Sequence, residues 1–258
     1  MKKNKILIFF SLLILLVNCE NEIALDDMSG KVVIEGNITD EAGPYYVKVT
    51  KSTKFFDGSG ENFIEYAKVV ISDQNGQTET LVYDEDGTYQ TINFHTHYGD
   101  TYTLSVTVEG NTYKATSKMP EYVEFSGLKQ QMIYIYDEYR KGLIPLFTDP
   151  AAQENYYFFK SQVNDGEYFS YTPISDEGQD GQVNSKPLSR GFKEKDTVLV
   201  EMQCIDKQVY NYFKDLPQAS FENNGETLSP INPIGNFSNG ALGYFSAHTT
   251  STKTIIIE

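Results

Sequence analysis

The residues whose types and spacing suit chemistry are one thiol, one imidazole pair and two acidic turns. Cys19 closes the stretch MKKNKILIFFSLLILLVNC. Lys2, Lys3 and Lys5 precede an uncharged apolar run at 6–17, which at 12 residues is too short for a spanning helix; that needs about 20. This pattern is a secretory leader with a sulfur where cleavage would fall, and no A-x-A site follows it. The chemistry it predicts is acylation of Cys19. Leu16 suits a lipidation signal, whereas Asn18 stands where a smaller residue is usual.

His95 and His97 form an H-x-H pair. On a strand, residues i and i+2 share a face, which suits two ligands to one metal. No third ligand lies nearby, and His248 is the one other histidine. A solvated loop is the simpler expectation. Asp84, Glu85, Asp86 and Gly87 make one acidic turn, and Asp176, Glu177, Asp180 and Gly181 make another. Oxygen-rich loops of this kind can hold calcium. Neither has EF-hand spacing, and acid–glycine turns are ordinary turn chemistry. The sequence therefore predicts no metal and no cofactor, with His95, His97, Asp176 and Asp180 as the candidates if a metal binds.

Enzyme templates are missing. There is no G-x-S-x-G elbow, H-E-x-x-H helix or phosphate-cradling glycine loop. Carboxylates are plentiful, but nothing singles out a pair. Cys204 lies in the alternating stretch DTVLVEMQC and reads as a small core residue without an activating neighbour. With two cysteines in all, one of them at the leader, no disulfide framework arises. The expectation is a protein that is not an enzyme.

Composition narrows the partners. The chain of 258 residues has a formal charge of −15, and loss of the leader's three lysines takes this to −18. Such a surface repels nucleic acid and favours solubility. Tyrosine (19) and phenylalanine (16) are abundant and tryptophan is absent. Aromatics cluster at 134–136, 156–159 and 168–171. Alternating aromatics in strands are core and cross-strand pairs more often than sugar platforms.

The elements that must position these residues are mostly strands. Residues 31–119 read as seven short strands: Val32 and Ile34; Tyr45, Val47 and Val49; Ala67, Val69 and Ile71; Leu81 to Tyr83; Thr88 to Ile92; Tyr102, Leu104, Val106 and Val108; Tyr113 and Ala115. Turns at Asn75-Gly76, Asp86-Gly87 and Glu109-Gly110 separate them. This predicts a seven-stranded immunoglobulin-like or transthyretin-like sandwich. Pro120 marks a boundary. Residues 120–258 predict a second β-rich domain with one short helix near 207–216. Asp206 is its N-cap, Ile205 and Tyr210 its staple, Val209, Phe213 and Leu216 its apolar face, and Pro217 its stop. The stretches 174–195 and 217–242 read as long polar loops. The segment 19–30 reads as a tether.

Two resemblances add to this. Glu20 and Glu22 directly after Cys19 resemble the surface-export tether of Bacteroidota lipoproteins. The C-terminal pieces KDTVLVEMQCIDKQVYNYFKDL and SPINPIGNFSNGALGYFSAHTT resemble the family catalogued as domain of unknown function 4249. So do KVVIEGNITDEAGPYYVKVTKSTKFF and AKVVISDQNGQTETL near the start. The most specific part is N-P-x-x-N-x-S-x-G-x-L-G-Y-F, from Asn232 to Phe245. The resemblance implies an outer-membrane lipoprotein, held to the membrane by lipid, acting as a binding or accessory module beside a TonB-dependent receptor. It supplies no catalytic residues. Asn236, Gly240 and Gly243 read as turn and close-approach positions. A structural or adhesive surface protein, and a lipid-anchored hydrolase, are the competing expectations.

Overall fold

The computed structural model describes residues 30–53, 62–135, 137–166, 168–219 and 233–258. Among the described residues the fold is mainly β, with several sheets and one α-helix. The first half supplies β1 (Val32–Thr39), β2 (Tyr46–Lys51), β3 (Asn62–Phe63), β4 (Lys68–Asp73), β5 (Thr78–Thr80), β6 (Val82–Tyr83), β7 (Thr88–Gln90), β8 (Thr101–Val108) and β9 (Asn111–Lys118). The second supplies β10 (Gly127–Ile135), β11 (Glu138–Leu146), β12 (Tyr156–Val163), β13 (Tyr168–Ser175), β14 (Gly191–Phe192), β15 (Thr197–Ile205), α1 (Lys207–Ala219) and β16 (Leu242–Ile256).

The strands form a nine-stranded sheet, a four-stranded sheet β5-β4-β8-β9 and a three-stranded sheet β10-β11-β14. The large sheet runs β13-β12-β15-β16-β1-β2-β7-β6, with β3 attached to β2. Where seven strands were expected over 31–119, nine short ones occur among the described residues. Leu81 interrupts the ladder between β5 and β6, and those two strands pair into different sheets.

β16 joins the two halves. Its first part, from Leu242 to His248, pairs in parallel with β1. Its second, from Thr249 to Ile256, pairs antiparallel with β15. Each part has a strand on one side, so the opposite side needs other partners. Side chains provide them. Asn236 accepts from the Phe245 N–H (2.9 Å) and donates to the Phe245 carbonyl (2.7 Å). Ser117 Oγ accepts from Ala247 N (2.9 Å), and Asp40 accepts from Thr250 N (2.8 Å). Gln130 bonds the Ile256 carbonyl and the Glu258 N–H, both at 3.0 Å.

Three apolar cores follow. In the first, alternation in β8 sends Tyr102, Leu104, Val106 and Val108 inward against Ile34, Val47, Val49 and Phe245. The second lies between β12-β13-β15 and β10-β11-β14, with Tyr157, Phe159, Val198, Val200 and Met202 facing Phe125, Leu143 and Phe192. Phe158, one residue out of phase, faces the opposite side and meets Val209, Tyr212 and Phe213 of α1. Leu104 is 0 % exposed. Leu104→Ala should therefore cost about 2–5 kcal/mol in urea unfolding; a loss below about 1 kcal/mol would contradict this packing.

Asp206 caps α1 as its sequence position predicts. Its Oδ1 accepts from Gln208 N (2.9 Å) and Val209 N (3.0 Å). The helix continues through Pro217 to Ala219 instead of stopping there. Proline removes one helical hydrogen bond but keeps a helical φ, and near a C-terminus that loss is small. The 174–195 stretch is more ordered than a free loop. It begins inside β13, bridges Thr148 to Val183 and contains β14.

Candidate functional site

Two turns at one end of the second core bring three carboxylates together. Asp149 follows β11, Asp176 follows β13, and Asp180 sits in the turn between them and β14. One oxygen from each lies within 4.8 Å of the others. Asp149 is only 4 % exposed. Its Oδ1 accepts from the Tyr157 hydroxyl and its Oδ2 from Gly181 N (3.2 Å). Asp176 accepts from Asn155 N (2.9 Å) and Asp180 from Ala152 N (2.8 Å). Burial first, and the Asp149 hydrogen bond second, push the Tyr157 phenol far up, so it stays a donor.

Chemically, three hard oxygens are the beginning of a calcium-type ligand set, which needs six to eight. Two nearby carbonyls are already taken. Lys186 Nζ donates to Ser175 O (2.7 Å) and Glu177 O (2.9 Å). Asn184, buried, ties the same loop to Pro145 O (2.8 Å) and Lys186 O (3.1 Å). The arrangement works as a clamp that holds the 147–155 and 175–186 segments together. Sequence reasoning found Asp176 and Asp180 and missed Asp149. Asp149 stands in FTDP with no acidic neighbour, so no local spacing points to it.

The histidines are not gathered. His95 and His97 lie in the irregular segment between β7 and β8, not on a strand. His95 Nδ1 contacts Asn93 O (2.8 Å), and His97 lies 3.9 Å from Asp100. His248 is buried in β16 beside Ser246. Cys204 is buried, and desolvation pushes its thiol up to about 11, so the neutral form prevails.

The aromatics divide. Tyr157, Phe158 and Phe159 are core, and Tyr171 stacks on Phe158. Tyr134 and Tyr139 form an exposed edge-to-face pair on the β10–β11 hairpin. Tyr136 and the side chains of Tyr168 and Phe169 lie outside the described residues, as do Cys19, Glu20 and Glu22. Half of the 217–242 stretch, residues 220–232, does so too.

The C-terminal signature has a definite geometry. Asn236 Nδ2 reaches Thr116 O (3.2 Å) as well as Phe245. Ser238 Oγ accepts from Lys114 N (3.0 Å), and Asn239 Nδ2 donates to Thr112 O (2.7 Å). The segment 236–239 thus laces β9 to β16 with side-chain amides and a hydroxyl in place of a strand. Over residues 20–254 the sequence matches the family described as Domain of unknown function (DUF4249). The chain belongs to that family. Comparison with curated proteins returns no match. In this DUF4249 chain Asn236, Ser238 and Asn239 of the signature are architectural, since their side chains are spent on backbone partners. No helix among the described residues is long and apolar enough to cross a membrane.

Proposed function

We propose that this DUF4249 protein is a lipid-anchored outer-membrane module, exposed at the cell surface, that binds beside a TonB-dependent receptor. The observation that carries the reading is at the N-terminus. A lysine-led apolar leader ends at Cys19, and the family match begins at residue 20. A thiol at that junction has acylation as its simplest role, and Glu20 and Glu22 suit a surface-export tether. A rigid β scaffold with recognition in its loops fits an accessory role. The clamped 176–186 loop exposes Glu177, Gln182 and Val183 while Asp176 and the buried Asp149 hold the turn.

Two measurements test this. Cys19→Ala should move the protein out of the membrane fraction or leave it with its leader attached. A mature, membrane-bound variant would refute acylation. The wild-type protein, extracted in mild detergent, should retain an outer-membrane receptor through affinity purification, and recovery without one would refute the accessory role.

A further inference from the structure

The chain has 19 lysines but only two arginines, Arg140 and Arg190. They lie 50 positions apart in sequence and line the same surface cavity of about 300 Å³. Lys193 lines it as well, and Val163 and Phe192 form its apolar wall. Ligand sites begin at about this size. In a protein of formal charge −15, three cations around one cavity oppose the prevailing sign.

The fold holds them firmly. Phe192 and Leu188 are buried in the second core. β14 pairs with β11 through Lys141↔Phe192 and Gly142↔Gly191. Arg190 and Lys193 flank this anchored pair directly. The Arg140 stem crosses Gly191, where an added Cβ would lie 2.5 Å from Arg140 Cβ. Extending the register by one residue sets Arg140 opposite Lys193. Like charges placed opposite each other across strands are destabilising unless something neutralises them.

Among the described residues, two carboxylates stand beside these cations: Asp196, which also lines the cavity, and Glu138. Asp196 uses Oδ2 on Lys193 N (2.9 Å) and Oδ1 on Asn164 Nδ2 (3.1 Å), so its oxygens shape the turn. Glu138 meets Arg140 through one oxygen, which accepts from both Nε and Nη2. A guanidinium carries five N–H donors, so others remain to Arg140. Arginine is suited to phosphate because its planar fork matches two oxygens at once. Three cations on different segments suit a tetrahedral dianion better than a planar carboxylate, which offers two oxygens in one plane.

We propose that this cavity binds a phosphate group, either free or as the headgroup of a lipid lying along the Val163–Phe192 wall. The site is distinct from the acidic clamp and does not depend on the accessory role proposed above. The test is calorimetric titration of the full-length protein in detergent with inorganic phosphate and, separately, with monomeric dihexanoyl phosphatidic acid. Saturable binding is expected to at least one probe. Arg190→Gln should weaken it about tenfold or more, as loss of a charge-assisted hydrogen bond implies. Lys68→Gln, in β4 of the other half, makes the same charge change and should alter it less than about twofold. Glu138→Gln frees Arg140 and should tighten binding, which keeps the test independent of whether Arg190→Gln folds. Equal affinity for the two probes assigns the site to the phosphate alone. Tighter binding of the lipid assigns it to a headgroup. The proposal is overturned if neither probe binds saturably, or if Arg190→Gln and Lys68→Gln behave alike.

Discussion

Gly243→Ala is expected to prevent folding, or to lower stability by more than about 4 kcal/mol, a range reached by few single substitutions. Gly243 has φ +91°, and a Cβ there would stand 2.1 Å from the Ile34 carbonyl oxygen and 2.9 Å from its carbon. Those are backbone atoms of the paired strand β1, in register with Gly243 itself. No side-chain rotation relieves the contact. The backbone conformation alone costs an ordinary residue about 1–3 kcal/mol. The greater cost is that β1 and β16 must separate, and this ladder closes the first core with Phe245 and Ala247. Urea unfolding of soluble material, with expression yield as the second measure, checks this. A variant that unfolds within about 1 kcal/mol of the wild type would mean the parallel pairing is not as described.

The second large effect is a loss of stability in acid traced to His248. This imidazole is fully buried in β16, and its pKa is pushed down to about 3. Burial is the main cause; Lys160 adds to it and Glu201 opposes it. Lys160 and Glu201 themselves form an ion pair at 3.4 Å. The folded pKa is below the unfolded value, so the unfolded chain takes the proton first. His248 therefore contributes stability that is present above about pH 6.5 and is lost as pH falls toward about 3. The loss attributable to this group at pH 4 should be roughly 3 kcal/mol relative to pH 7. Carboxylates also titrate near the lower end, so the comparison that isolates the effect is with His248→Gln. Glutamine is neutral throughout and can still meet Ser246 Oγ, which lies 2.9 Å from His248 Nδ1. Between pH 6.5 and 4 the variant should lose much less stability than the wild type. Parallel losses would remove His248 from the acid response. Asp206 acts in the opposite sense: burial raises its pKa, so its ionisation weakens the fold as pH rises.

Local patterns carried much of the architecture. The alternation of Tyr102, Leu104, Val106 and Val108 with threonines and a serine states which face of β8 is buried, because a strand has a period of two. The Asp206 side chain, the apolar spacing of Val209 and Phe213, and their distance from Pro217 define where α1 starts and what it buries. The expectation of a lipidated leader ending at Cys19 is equally local, since a charge cluster, an apolar run and a thiol are contiguous. The match over residues 20–254 places the chain in its family without saying what the residues from Asn232 to Phe245 touch.

What the sequence determined by itself was therefore the faces, caps, turns and family of this protein. The tertiary structure alone decided which strands and charges meet. The pairing of β1 with β16 spans 209 positions between Val33 and Leu242, and alternation is the same whichever strand lies alongside. Asp149 joins Asp176 and Asp180 beyond the end of β11, and Arg140 joins Arg190 near its start, only because separate β connections return to each place. Side chains at such distances carry no mutual spacing. Their meeting is set by the ladder registers and by the buried aromatics that fix how the sheets pack.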